Sequence, residues 1–428
     1  MSVYDMKNVF AYAKDEHGLT DREISDALDT ALCQLTPGEK ALLLPPDYTR
    51  MHSGAGKITN MLYHKLSSCR VDVMPALGTH VPVTDEEKDK FFGDIPKDRY
   101  LVHNWKTECT SLGEVPADFV RDVSEGILDE PFEVECNRAL TEGGYGLIVS
   151  VGQVVPHEVV GMANYTKNIL VGVGGNRFIN KSHLLGAMYG MERMMGRDKT
   201  PVRQVFDYAQ THYLDSMPLL FVLTVTTNTP EGVAIHGLFI GHDRKPFEAA
   251  VKLAQEKNLI FVDEPFKKVV VNLDPAEFKS TWLGNKAVYR TRMAIADGGE
   301  LIILAPGVRM FGEDPENDRL IRKFGYTGRE HILDLFRREP ELQQNQSVAA
   351  HLVHGSSDGR FSITYCTKLL TREEIEGVGF GWQSYEDATR RYDPAKLHNG
   401  FNTLPDGEEI FYIENPALGL WADRKKFN

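Results

Sequence analysis

The stretch YGLIVSVG at residues 145–152 is apolar at most positions, and it predicts a β-strand that is buried on both faces. Runs of the same kind recur along the chain, and amphipathic stretches separate them. Strands buried on both faces need helices on each side of their sheet, so this alternation predicts an α/β fold with parallel strands. The predicted strands are residues 40–46, 71–78, 145–152, 168–173, 219–225, 233–241, 267–273 and 300–307.

Two helix starts carry the pattern of a capping box, in which a threonine is followed three residues later by a glutamate. These are Thr20 with Glu23 and Thr84 with Glu87. Further helices are predicted over residues 181–195, 201–214, 244–257 and 285–298.

The length of 428 residues exceeds what one compact core usually holds, so two domains are expected. The segment NLIFVDEPFKKVVVNLDP at residues 258–275 places two apolar strands close together, with proline and charged residues between them. We therefore expect an N-terminal α/β domain over residues 1–265 and a C-terminal α/β domain over residues 266–428.

The composition excludes several classes of partner. The formal net charge is −13, and an acidic chain repels phosphate backbones, so nucleic acid is not an expected partner. No apolar run reaches the ~20 residues that span a bilayer, and the N-terminus lacks the apolar core of a signal peptide, so no membrane association is expected. The five cysteines are scattered without CxxC spacing, which favours a reducing cytoplasm.

Polar side chains follow several predicted strands at the same end. DYTR (47–50) follows the first strand, His80 follows the second and His157 follows the third. Ligands of open α/β sheets bind beyond the carboxyl ends of the strands. An arginine can bind a carboxylate or phosphate, and a histidine can act as an acid or base near neutral pH. Each of these residues alone is more often structural, and only their recurrence favours a site.

Lys167 and His183 lie on either side of the apolar run at 168–173. A lysine at the end of a buried site can hold a phosphate or form a covalent bond, and an imidazole can bind nickel, zinc, copper or iron. A surface lysine and a half-exposed histidine at a helix start are the ordinary alternatives.

Other patterns are weaker. GVGGNR at 172–177 departs from the dinucleotide-binding pattern GxGxxG because its last position is arginine, and no phosphate-binding loop of the type GxxxxGK[ST] occurs. His351 and His354 are expected in a surface loop, and YRTR at 289–292 is expected on a solvated helix face.

Taken together, four pieces of the sequence resemble the motifs of the nickel-pincer nucleotide-dependent lactate racemase family. Their order and residue types agree with the family, as do the intervals of ten residues from His157 to Lys167 and sixteen residues from there to His183. The pieces are DYTR (47–50), LGTH (77–80), PHEVVG (156–161) and the interval 167–183, with a looser match in YRTRMA (289–294).

The resemblance implies two α/β domains with the active site in the cleft between them, and a catalytic, cofactor-tethering role for residues 1–265. The family's cofactor is a nickel-pincer nucleotide, a pyridinium thioamide/thiocarboxylate mononucleotide that holds nickel. By similarity, the catalytic acid/bases are His80 and His157, the tether is Lys167 and the nickel ligand is His183. The resemblance also assigns Asp47 and Thr49 to the cofactor, and Arg50, Tyr289 and Arg292 to the substrate.

The implied activity is racemisation or 2-epimerisation of a 2-hydroxy acid, by reversible hydride transfer through a 2-keto acid. The implied partners are this small acid and the host enzymes that make the cofactor. The sequence departs from the family at ANYT (163–166), where a glycine-rich stretch is usual, and at Val81, Arg290 and Met293, which stand in place of arginine, glutamine and lysine. The loss of that lysine predicts an acid that is larger than lactate or polyhydroxylated.

Two alternative functions remain open from the residues alone. One is a metal-free hydro-lyase or oxidoreductase that acts on a sugar acid, with His80 and His157 as base and acid. The other is a non-catalytic homologue that binds an anion.

Overall fold

The computed structural model of the protein describes residues 2–229 and 232–427, and the chain divides into two compact units. The first unit runs as far as Leu185 and also contains Met194–Asn258. The second unit contains Gly186–Arg193 and the chain from Leu259 onward. Both units combine β-sheets with helices, which confirms the predicted α/β class.

The first unit contains the strands and helices up to Asn258, and α6 and α7 are divided by the unit boundary. The strands are β1 (Val9–Tyr12), β2 (Lys40–Leu44), β3 (Arg70–Val73), β4 (Cys109–Val115), β5 (Phe132–Asn137), β6 (Leu147–Gln153), β7 (Pro156–His157), β8 (Gly161–Met162), β9 (Leu219–Thr229) and β10 (Gly232–Gly241). The helices are α1 (Asp21–Leu32), α2 (Ala55–Lys65), α3 (Asp85–Phe92), α4 (Ala117–Val123), α5 (Ala139–Glu142), α6 (Asn176–Tyr189), α7 (Met191–Met194), α8 (Pro201–Ala209) and α9 (Lys245–Asn258).

The main sheet of the first unit has the strand order β1-β10-β9-β6-β2-β3. β3, β2, β6 and β9 run parallel, as expected for strands that are apolar on both faces. β6 is buried along its whole length and lies between β2 and β9, so the stretch at 145–152 is the centre of the sheet. The strands predicted at 219–225 and 233–241 form an antiparallel hairpin instead of a parallel pair.

Both predicted capping boxes are present. The Thr20 hydroxyl accepts from the main-chain N–H of Glu23, whose carboxylate accepts from the Thr20 N–H, and the same exchange joins Thr84 and Glu87. These caps satisfy donors that a helix start leaves without a partner, and they fix the first residues of α1 and α3.

The prediction of a strand at 168–173 is wrong. Asn168–Gly172 forms one turn of π-helix, and all five of its residues are buried. A short apolar run is compatible with either a buried strand or a buried helical turn, because burial on all sides removes the periodicity that distinguishes them. π-helical turns are rare and often lie at functional sites.

The second unit contains the remaining elements. Its strands are β11 (Leu259–Val262), β12 (Phe266–Asn272), β13 (Ile295–Ala305), β14 (Ser362–Thr367), β15 (Gly381–Ser384), β16 (Gly400–Thr403), β17 (Glu409–Ile413) and β18 (Leu420–Asp423). Its helices after α7 are α10 (Thr281–Gly284), α11 (Lys286–Thr291), α12 (Pro315–Phe324), α13 (Arg329–Arg338), α14 (Pro340–Gln344), α15 (Gln346–His354), α16 (Arg372–Gly377), α17 (Tyr385–Arg391) and α18 (Arg424–Phe427).

The main sheet of the second unit has the order β15-β14-β13-β12-β17-β16, and its strands are parallel except for β16. Across residues 2–229 and 232–427, no helix is both long enough and apolar enough to cross a membrane.

Three expectations for this part of the chain are wrong. The helix predicted at 285–298 ends at Thr291, and β13 already begins at Ile295. The YRTR stretch at 289–292 is buried instead of solvated, and so are His351 and His354, which lie on α15 instead of a surface loop. The polar residue types suggested that these side chains are exposed, but each of them has partners within the protein.

Candidate active site

The first unit brings polar segments together where its parallel strands end. β3, β2 and β6 are neighbours, so their carboxyl ends meet at one edge of the sheet, which we call the carboxyl edge. Asp47 follows β2 and His80 follows β3. The Nδ1 atom of His80 lies 2.6 Å from Oδ2 of Asp47, although the two residues are 33 positions apart.

Asp47 is held as an ionised carboxylate. Its Oδ1 accepts hydrogen bonds from the Thr49 N–H at 2.8 Å and from the Thr49 hydroxyl at 2.5 Å, which caps the 3-10 turn Tyr48–Ser53. Burial alone would raise the pKa of this carboxyl, but the charge and hydrogen bond of His80, the Thr49 bonds and the charge of Arg50 together lower the pKa to about 2. Asp47 therefore stays an anion and favours the His80 tautomer with its proton on Nδ1.

The turn before His80 returns the chain toward Asp47. Gly78 has a φ of +58° and donates its N–H to the carbonyl of Gly172 at 2.8 Å. Glycine reaches this left-handed conformation without the steric cost that a side chain adds. Because Asp47 occupies Nδ1, Nε2 is the atom of His80 that can accept a proton, and no described side chain is bonded to it.

His157 lies on the short strand β7, paired with β8, and its side chain is buried. Its Nδ1 accepts a hydrogen bond from the Val159 N–H at 3.1 Å, which places the proton of the neutral ring on Nε2. Burial lowers the pKa of His157 well below its usual value, while the Glu158 carboxylate, 3.7 Å from Nδ1, acts in the opposite direction. His157 therefore rests neutral, in the opposite tautomer to His80.

Lys167 and Arg50 are partly buried cations whose side chains make no hydrogen bond or ion pair within the described residues. Burial is the main cause that lowers the pKa of Lys167 to about 8, and the charges of Arg50 and Arg203 add to it, against those of Glu158 and Asp47. More of this amine is uncharged at neutral pH than in an ordinary lysine, which makes it a better nucleophile. The two cations together favour an anionic ligand.

His183 lies on α6 with its Nδ1 donating to the carbonyl of Ile179 at 2.7 Å. This bond leaves the lone pair of Nε2 for a ligand, as is common for metal-binding histidines. Burial lowers the pKa of His183 to about 4, the hydrogen bond to Ile179 acts in the opposite direction, and the charge of Lys167 adds to the lowering. The ring is therefore neutral at pH 7, which is the form that binds metals.

Two residues at this edge were missed by the sequence reasoning, Asn168 and Glu158. The Asn168 amide donates to the Leu44 carbonyl at 3.0 Å and to the Ser150 hydroxyl at 2.9 Å, so it ties the π-helical turn to the end of β2 and the middle of β6. The signal for Asn168 was an amide at the start of a run that is otherwise apolar, because a buried amide requires partners. Glu158 carried no comparable signal.

The other two predicted substrate residues lie in the second unit. The Tyr289 hydroxyl is 2.9 Å from Nδ1 of His351. Arg292 donates to Glu192 at 2.9 Å and to Asp358 at 2.8 Å. Both side chains are buried with these partners, and their assignment to the substrate stays a prediction.

The side chains at the carboxyl edge fit the chemistry of a nickel-pincer nucleotide. His183 offers a neutral nitrogen for nickel, Lys167 offers an amine for a thioamide, and Arg50 offers a cation for anionic oxygens. Within the described ranges, no group of three or more His, Cys, Asp or Glu side chains is arranged to hold a metal ion. Nickel bound at His183 would therefore need further ligands from the cofactor itself.

Comparison with known proteins shows which domain and which folds the chain is similar to. Residues 3–196 match the family model of the lactate racemase N-terminal domain, and no curated protein matches the chain. Among solved structures, a protein from Thermotoga maritima is similar at TM-score 0.81 and 22% identity, over 96% of this chain and 99% of that one. The lactate racemase apoprotein from Thermoanaerobacterium thermosaccharolyticum is similar at TM-score 0.67 and 16% identity, over 97% of this chain and 100% of that one.

At these identities the two solved structures show a shared fold. The match to the family model is more specific. It spans all the candidate site residues at the carboxyl edge, from Asp47 to His183. Residues 3–196 therefore form a lactate racemase N-terminal domain, and the chain as a whole shares the fold of the two solved structures.

Proposed function

We propose that this protein is a racemase or 2-epimerase of a 2-hydroxy acid and that it works with a nickel-pincer nucleotide. One observation carries the proposal: a lysine amine, a guanidinium and two imidazole nitrogens lie at one sheet edge without partners among the described residues (Lys167, Arg50, His80 and His183). The match of residues 3–196 to the lactate racemase N-terminal domain supports a racemase-type reaction in general.

The cofactor would be held by the groups that the first unit leaves available. Lys167 would form the covalent tether, the Nε2 atom of His183 would bind nickel, and the Asp47–Thr49 turn would line the cofactor. When bound, the cofactor supplies the acceptor and donor of the hydride. The host enzymes that make this cofactor are accordingly proposed partners.

His80 is the proposed base for the substrate hydroxyl. Its Nε2 atom would accept the proton while the Asp47 carboxylate stabilises the resulting imidazolium through Nδ1. The substrate carbon would become planar in the 2-keto acid, so return of the hydride to the other face would invert the centre.

His157 is the proposed partner of His80 in proton transfer. In its resting tautomer the Nε2–H can donate a hydrogen bond to the substrate oxygen, and transfer of this proton would require Nδ1 to be protonated as well. Protonation of its Nδ1 would break the bond from Val159 and be favoured by the nearby Glu158 carboxylate. The resting states of the two histidines therefore favour His80 as the first base.

Arg50 is the proposed partner of the substrate carboxylate, since its side chain has no other partner among the described residues. By the family resemblance, Tyr289 and Arg292 are also proposed substrate residues. A larger or polyhydroxylated acid suits the protein better than lactate, because Met293 stands where the family has a lysine.

The proposal can be tested on protein that has been co-expressed with the cofactor-making enzymes. We expect nickel in the purified protein and an added mass on the peptide that contains Lys167. A panel of 2-hydroxy acids deuterated at C2 should then yield an epimer that retains the label. Loss of the label to water would overturn hydride transfer, and absence of both nickel and adduct would overturn the proposal.

The alternative functions give different outcomes in the same experiment. A hydro-lyase or oxidoreductase that uses His80 and His157 without nickel would turn over a sugar acid in metal-free protein. A non-catalytic anion binder would bind acids from the panel and convert none, and replacement of His80 would leave that binding unchanged.

A further inference from the structure

The segment before Lys167 adopts a backbone conformation that its residues disfavour. Asn164 has a φ of +65° and Tyr165 has a φ of +58°. Asparagine visits this left-handed region occasionally, but a bulky aromatic residue does so rarely. Two such residues in succession persist only where the surroundings hold them, and this strained turn leads directly into Lys167.

The Arg203 guanidinium spans this turn. Arg203 is on α8 and its side chain is completely buried. It donates to the Thr166 hydroxyl at 2.8 Å, to the Met162 carbonyl at 2.6 Å and to the Asn164 carbonyl at 3.3 Å. One rigid group thus binds the chain before, within and after the two left-handed residues, and its planar fork suits several acceptors at once.

An aromatic ring supports the same turn. The Tyr165 ring stacks on Phe247 with centroids 5.0 Å apart and an angle of 16° between the planes. The guanidinium carbon of Arg203 lies 4.5 Å from the centroid of that Phe247 ring. Both the strained residue and the arginine therefore pack on one side chain, so that movement of either disturbs the other.

The end of β6 confines the turn as well. A Cβ atom on Gly152, whose φ is +156°, would lie 2.1 Å from the side-chain nitrogen of Asn164. Only glycine leaves room for this approach. The Asn164 side chain in turn accepts a hydrogen bond from the Tyr165 N–H at 2.7 Å.

We propose that Arg203 is a positioning residue that holds the 162–166 main chain in its strained turn and thereby sets where the Lys167 amine lies. Its importance for catalysis rests on the proposed tether at Lys167. The neighbouring positive charge also contributes to the lowered pKa of Lys167, after burial and Arg50. Arg203 makes no contact with reacting atoms in this role.

The test uses cofactor-free protein, so it does not depend on racemase activity. Lysines are acetylated with acetic anhydride over a pH series, and the rate at Lys167 is measured by peptide mass spectrometry relative to the exposed Lys14. In Arg203→Met we expect the labelling midpoint of Lys167 to rise toward that of an ordinary lysine. A rise of about one pH unit lowers the rate at pH 8 roughly five-fold.

Hydrogen exchange distinguishes the effect of Arg203 on the position of the main chain from the effect of its charge on Lys167. In Arg203→Met, amides in the peptide over residues 160–170 should exchange faster, which loss of a distant charge would not cause. Arg203→Lys should restore part of the labelling profile but little of the protection, because a lysine cannot bind three acceptors in this geometry. The matched control is Arg244→Met: Arg244 also lies over Phe247, at 5.6 Å, but donates no hydrogen bond to residues 162–166.

The proposal is supported if Arg203→Met changes both readouts and Arg244→Met changes neither. It is overturned if folded Arg203→Met keeps the parent labelling midpoint and exchange rates. Should Arg203→Met fail to fold, Thr166→Val removes one acceptor and keeps the charge: faster exchange over 160–170 supports the proposal, and an unchanged rate overturns it. Absence of both nickel and the Lys167 adduct in protein co-expressed with the cofactor-making enzymes would refute the proposed function and leave these results standing.

Discussion

His80 in the first unit and His351 in the second show two ways to hold a histidine. His80 has one ring nitrogen bonded, at 2.6 Å to Asp47, and Nε2 has no described partner. His351 has both nitrogens bonded, to the Tyr289 hydroxyl at 2.9 Å and the Tyr326 hydroxyl at 2.7 Å. The first arrangement leaves a lone pair for chemistry, whereas the second uses the ring to satisfy buried hydroxyls.

The bonding around His351 also has a fixed direction. The Thr281 hydroxyl donates to the carbonyl of Phe311 at 3.1 Å, so at its 2.9 Å contact with Tyr326 it must accept. Tyr326 then accepts from Nε2 of His351, and Nδ1 accepts from Tyr289. In this arrangement each hydroxyl or ring nitrogen of the row is bonded to the next residue, which favours a structural role. The predictions below test this contrast between the two regions.

The largest effect is expected at Lys167. Lys167→Ala should remove the adduct on its peptide and lower epimerisation by about 10³-fold or more, because the proposed cofactor would lose its tether and the proposed hydride transfer its acceptor. Lys181→Ala is the control, since Lys181 is paired with Glu130 and the Pro131 carbonyl. Activity of Lys167→Ala close to that of the parent would show that the tether is dispensable.

His80 and Asp47 should give graded losses. His80→Gln should lower kcat by about 10²–10⁴-fold because the base is lost. Asp47→Asn should lower kcat by about 10–100-fold, since it removes only the carboxylate that orients the His80 ring and stabilises its protonated form. Steady-state kinetics on nickel-matched samples measures both. A larger loss in Asp47→Asn than in His80→Gln would contradict the proposed order of roles.

His351→Leu should lower the free energy of unfolding and leave the proposed catalytic groups unchanged. The replacement leaves the Tyr289 and Tyr326 hydroxyls without their histidine partner in a buried place, at a cost of about 2–4 kcal/mol in the free energy of unfolding. Urea unfolding measures this loss. Nickel content and acetylation of Lys167 in the folded variant should equal those of the parent. Full stability together with lost catalysis would place His351 in the chemistry and erase the contrast with His80.

The smallest expected effect is a fall in the free energy of unfolding at acidic pH. The pKa of Asp47 is about 2 in the folded protein against 3.8 as the ordinary value, so its contribution is fully present above pH ~5 and is lost as the pH falls through about 2. The loss amounts to about 2 kcal/mol. Unfolding of the parent and Asp47→Asn between pH 6 and pH 2 measures it. Equal slopes for both proteins in this window would contradict the lowered pKa.

Much of the first unit could be predicted from the sequence because its signals are local. The apolar run of β6 and the threonine–glutamate caps of α1 and α3 involve neighbours in the chain. The recurrence of reactive residues after successive strands favoured a site at one end of the sheet, and two of these residues, Asp47 and His80, are hydrogen-bonded there.

The turn around Lys167 could not be predicted, because its conformation depends on distant partners. Asn168 bonds to the end of β2 and the middle of β6, and Arg203 bonds to Thr166 from α8. These contacts favour a π-helical turn at residues where the apolar sequence predicted a strand. They also explain how Asn164 and Tyr165 adopt backbone angles that their own preferences disfavour.

The sequence by itself determined the α/β class, the central strands, the helix starts and the order of the reactive residues. Only the tertiary structure decided which histidine nitrogens are engaged, why the pKa of Lys167 falls to about 8, and that the polar stretches at 289–292 and 351–354 are buried. The physical reason is that local patterns depend on neighbours in the chain, whereas hydrogen bonds and charge effects depend on residues that only folding brings together.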